Sequence, residues 1–148
     1  MKHIIEWVLA GIGALLCVGG TAITWLSQVS PNTPGVSLWP LPALVLIEVA
    51  ILGLAGFSSV ILDNEQHSPR WGAVLWIAGG GLTALAIIGA FSVSVVVLLA
   101  VPALLFVSAA VLADTRRDRN ILTDLGLFSM SAIANFLLIF TLISVMRI

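Results

Sequence analysis

The chain has 148 residues, of which 60% are hydrophobic and only 9% charged, with a formal net charge of −1. Its mean hydropathy is +1.18, whereas soluble domains carry about 25% charged residues. A water-soluble fold of this length cannot hide so much apolar surface, which excludes a soluble enzyme, a nucleic-acid binder and a disordered chain.

The first apolar run extends from Ile4 to about Ser27. At about 1.5 Å per residue it is long enough to cross a hydrocarbon core of about 30 Å. Lys2 and His3 resemble the basic end of a signal peptide, but the run continues through Thr24-Trp25-Leu26 with no small-residue cleavage site. Leu16 stands where a lipoprotein signal needs a small residue before Cys17. The run is therefore expected to be a retained first helix. As the chain's one cysteine, Cys17 has no partner for an internal disulfide.

Pro31, Pro34, Gly35 and Pro40 break the next stretch, an uncharged loop over residues 29–40. Trp25 and Trp39 flank it, as amphipathic rings do at the headgroup level. A second span follows over 41–62, with Pro42 suited to a first helical turn, where its missing N–H is no loss. After the polar segment from Asp63 to Arg70 come 43 residues, Trp71 to Ala113, without a charge. One helix of that length would reach roughly 65 Å, about twice the hydrocarbon thickness, so the run must fold back. The best turn lies at 89–94, giving spans over 71–90 and 94–113, the second containing Pro102. The highly charged segment from Asp114 to Asn120 separates these from a last span over about 124–146. The expected fold is all-α: a single domain of five transmembrane helices, about 4–27, 41–62, 71–90, 94–113 and 124–146.

Five spans place the N-terminus, the 63–70 segment and the 114–121 segment on one side. That side carries Lys2, Arg70, Arg116, Arg117 and Arg119, against Arg147 alone on the other. The positive-inside bias puts the N-terminus in the cytoplasm and the C-terminus outside, as expected for a bacterial-type inner membrane.

Phosphate-loop, serine-hydrolase, HExxH and CxxC signatures are all absent. Gly79-Gly80-Gly81 is no phosphate loop, because it lies inside an apolar span with no following lysine. His3 and His67, with Glu6, Asp63 and Glu65, make at best a weak carboxylate–histidine set and read as solvated interfacial residues. No catalytic residue, metal or cofactor is expected.

The candidate intramembrane polar residues are Glu48, Arg147, Asn135, Ser131, Asp124, Thr21 and Thr24. Twelve of the thirteen charges lie near the ends of apolar runs, and only Glu48 lies well inside one. A carboxylate at the centre of a span is disfavoured by about 2.5–3.5 kcal/mol on insertion scales. Glu48 must therefore be protonated, paired or facing a polar cavity. Thr21, Thr24, Thr141 and Ser144 lie at a similar depth, and Arg147 could turn back toward it. Asp124, Ser131 and Asn135 recur at intervals of seven and four and so share a face of the fifth helix. That face suits adhesion between helices, with a polar path from the cytoplasm as the bolder reading. Small residues at spacing four, such as Gly13, Cys17 and Thr21, allow close helix packing in lipid.

The aqueous loops are too short for a catalytic domain. The expected role is non-enzymatic: a small subunit or assembly partner of a larger membrane complex. Its partners would be the lipid bilayer and other membrane subunits or copies of itself, with no nucleic acid. The alternative is a small transporter or ion-translocating homo-oligomer using Glu48.

Overall fold

The computed structural model describes residues 2–29, 41–66, 69–89, 93–117 and 121–146. These form five helices: α1 (Lys2–Val29), α2 (Leu41–Gln66), α3 (Pro69–Ile88), α4 (Val93–Arg117) and α5 (Ile121–Met146). All five are long and apolar enough to cross a membrane, and the described residues contain no strand. The protein is an all-α, multi-pass membrane protein. The long uncharged run folds back as its length required, between Ile88 and Val93; the turn itself lies outside the described residues, as does the 30–40 loop. Helices α2 and α4 extend four residues beyond the expected ends at 62 and 113. Hydropathy marks where the chain leaves hydrocarbon, and polar residues such as Gln66 and Arg117 continue a helix into water without strain.

Small side chains set the packing. Phe106 of α4 is fully buried and lies against Gly13 of α1 and Gly56 of α2. Gly53 of α2 meets Cys17, and Gly20 of α1 meets Leu98. These contacts close a ring in which α1 packs on α2 and α4, and α3 packs on the same two helices. The register gives the directions. Trp7 contacts Phe57 while Cys17 contacts Gly53, so α1 and α2 are antiparallel. Gly13 meets Phe106 and Gly20 meets Leu98, so α1 and α4 are antiparallel too. Between α3 and α5 the order is parallel, because Ile77 pairs with Ser131 and Gly81 with Asn135. Trp76 of α3 meets Asp114 of α4 and Gly79 meets Val107, so these two are antiparallel, and odd and even helices run in opposite directions. The start of α1, the end of α2, the start of α3, the end of α4 and the start of α5 share one end of the bundle.

Helix α5 lies outside the ring and packs on α3. α3 is consequently the most enclosed span, and α5 the most exposed. The run Gly79-Gly80-Gly81 explains how α5 sits so close. A methyl group on Gly80 would collide with the Phe128 carbonyl oxygen, which is backbone. The glycine run serves helix approach, and the sequence pattern of small residues is spent mostly inside the bundle.

Candidate functional site

The polar residues of the spans fall into two groups. The first lies at the end of the bundle shared by the starts of α1, α3 and α5. Glu6, Asp114 and Asp124 are buried there, with only 2%, 1% and 3% of their surfaces exposed. Trp76 Nε1 donates a 2.7 Å hydrogen bond to Asp114 Oδ2, and the Trp76 ring meets Phe128 edge-on. One side chain of α3 is thereby tied to both α4 and α5. Each of the three acids has further interactions within the structure.

This corrects the reading of Glu6 as a solvated interfacial residue. Glu6 continues the buried stripe Ala10, Gly13, Ala14 and Cys17 of α1, and Asp114 continues Phe106, Ala110 and Ala113 of α4. Helical periodicity carries these acids inward although their neighbours in sequence are polar. Asp124 likewise extends the line of Phe128, Ser131, Asn135 and Ile139. The other members of the suggested carboxylate–histidine set, His3, His67, Asp63 and Glu65, have side chains outside the described residues. Among the described residues no group of three or more His, Cys, Asp or Glu side chains is placed to hold a metal ion.

The second group lies deeper and joins two residues singled out on separate helices. The Asn135 amide of α5 lies near enough to the Glu48 carboxyl group of α2 to interact with it. Asn135 is 9% exposed, and its Oδ1 has no hydrogen-bond partner. Gly81 of α3 makes the space for this meeting. A Cβ there would lie 2.9 Å from Asn135 Nδ2 and 2.9 Å from Leu52 Cδ1. Helices α2, α3 and α5 thus converge on one point. Four residues further back on α5, Ser131 Oγ donates to the Ile77 carbonyl of α3 at 2.8 Å. The shared face of α5 thus carries a side-chain hydrogen bond to α3.

The other depth-matched hydroxyls do not reach Glu48. Thr21 and Thr24 donate to the carbonyls of Cys17 and Gly20, and Thr141 and Ser144 to those of Leu137 and Phe140. Each satisfies itself within its own helix, one turn back. Arg147, the suggested ionic partner, lies outside the described residues.

Glu48 is half-buried and lines an outward-facing groove of about 370 Å³ between α2 and α5. The other lining residues are apolar, among them Ile47, Ile51, Leu138 and Leu142. Two further grooves, one between α1 and α2 and one among α3, α4 and Phe128 of α5, are each about 510 Å³ and contain no ionisable side chain. Glu48 is thus a carboxyl group on a surface otherwise suited to hydrocarbon.

No protein-family model, curated protein or solved structure matches this chain.

Proposed function

We propose that this protein is a non-enzymatic subunit or assembly partner of a larger membrane complex. The observation that supports this reading is Glu48 on the open groove between α2 and α5. Lipid chains offer no hydrogen bonds, so a carboxyl group at that depth is costly wherever hydrocarbon covers it. A partner helix bearing a hydrogen-bond donor at the same depth removes that cost and gains van der Waals contact with the groove walls. Helix α5 adds a broad outer face for such a partner, because it packs mainly on α3.

The same placement favours a second reading, an ion-translocating homo-oligomer. Glu48 faces out of the protomer, so a route past it would form between copies. Mild solubilisation separates the alternatives. The first reading expects a larger membrane protein to co-purify with the wild type, and Glu48→Leu to weaken that association. Recovery of a lone protomer would overturn both readings, whereas a self-assembly alone would favour the second.

The proposed setting is a bacterial-type cytoplasmic membrane, with the N-terminus inside and the C-terminus outside, on the five-to-one distribution of basic residues. A reporter active only outside should give signal after Asn32 and at the C-terminus, and none after Gln66 or Arg117. Signal after Gln66 would contradict the orientation.

A further inference from the structure

We infer that the groove between α2 and α5 receives a transmembrane helix carrying a basic side chain, a lysine or arginine, that pairs with Glu48 inside the membrane. The inference rests on the reading of this groove as a docking surface and names the chemistry of what docks there.

The shape of the groove selects a helix. Its α2 wall runs from Leu44 to Leu52, and Leu138, Ile139 and Leu142 of α5 form the other. At about 1.5 Å per residue the α2 wall extends roughly 12 Å along the helix axis. A trough between two antiparallel spans, open on its outer side, takes the side-chain ridge of a third helix. A segment lying along it in hydrocarbon must itself be helical, because lipid offers its backbone no other hydrogen-bond partners.

Charge selects the side chain. The three grooves share apolar walls, and of their lining residues Glu48 is the one ionisable group. It lies about 10 Å along α2 from the helix start at Leu41. Among the described residues no basic side chain lines the groove, and the nearby Asn135 amide is uncharged. Carboxyl groups in water release their proton at a pH of about 4.3. At neutral pH the lone chain therefore either presents a charge to hydrocarbon or holds a proton against that tendency. A neutral donor on a partner helix leaves one of these costs in place. A lysine or arginine at matching depth removes both, and the partner gains equally, since an isolated base within a span is disfavoured too. Both groups left water when their helices inserted. Pairing then recovers their Coulomb attraction with no further dehydration to offset it.

The test uses the whole protein in lipid vesicles, with a labelled synthetic span of leucine and alanine as the probe. One form of the peptide carries a single lysine about 10 Å from its end, and the other has leucine there. Förster transfer from protein labelled at its N-terminus reads the binding. The lysine peptide should bind the wild type saturably, and the leucine peptide at least about tenfold more weakly. Glu48→Gln should bring lysine-peptide binding down to the leucine-peptide level. The comparison of the two peptides on the wild type stands even where Glu48→Gln folds poorly. Equal binding of both peptides would overturn the inference and leave the groove a docking surface, whereas binding of neither would overturn the docking reading as well. Transfer between two differently labelled copies, abolished by Glu48→Gln, would put a second copy in the groove and overturn the inference. Lysine-peptide binding seen only with Arg147→Ala would assign the base to this chain itself and also overturn it.

Discussion

Gly80→Ala is expected to loosen α5 from the rest of the molecule. The added methyl group would land on the carbonyl oxygen of Phe128. Backbone cannot turn aside as a long side chain can, so the helices must separate. Overpacking typically costs about 1–3 kcal/mol, and a backbone collision belongs at the upper end. The loss is concentrated because α5 packs on α3 alone among the well-packed helix pairs. Separation also strains the Ser131 bond to Ile77 and the edge contact between Trp76 and Phe128. Gly19→Ala is the matched control, since no atom lies within 4 Å of a Cβ at that position. The thermal midpoint of unfolding in detergent should fall clearly for Gly80→Ala and stay near wild type for Gly19→Ala. Equal midpoints would mean that α3 and α5 do not approach so closely.

The second large effect is expected from Trp76→Phe. Phenylalanine fills most of the space but has no N–H, so Asp114 Oδ2 loses the 2.7 Å bond it accepts. Withdrawing a donor from a buried acceptor costs about 1–3 kcal/mol. The smaller ring also leaves a gap against Phe128. In lipid the transfer of apolar surface adds little, because a displaced side chain remains in hydrocarbon; the hydrogen bond and lost contacts therefore dominate. Trp25→Phe should be close to silent, since Trp25 is exposed and donates no bond to another helix among the described residues. A denaturant titration should separate these two variants by at least about 1 kcal/mol. Indistinguishable curves would remove Trp76 as the link between α3, α4 and α5.

The spans were legible because their signal is local: apolar length, polar interruptions and the limit that membrane thickness sets on one helix. The ends of α2 and α4 were less so, since composition changes at the water boundary and helical geometry does not. Glu48 and Asn135 each stood out as polar residues in apolar helices, one on α2 and one on α5. Their meeting was not legible, because depth can be counted along a helix but neighbours cannot. The hydroxyls of Thr21, Thr24, Thr141 and Ser144 matched Glu48 in depth and yet bond within their own helices. For Glu6 and Asp114 a signal was present and outweighed. Both continue a buried stripe at intervals of three and four, while nearby charges suggested a solvated boundary. The importance of Trp76 had no such trace, since a tryptophan inside a span carries no mark of its acceptor.

The most direct test of the proposed role is photo-crosslinking in intact membranes, before any detergent is added. A photoreactive residue at Ile51, on the lip of the groove, should capture another membrane protein at a discrete mass. The adduct should weaken with Glu48→Leu in the same chain. The same group at Leu15, 74% exposed on α1, should give no such adduct. A dimer-sized product from Ile51 alone would favour the homo-oligomer. Lipid adducts only, at both positions, would contradict the account.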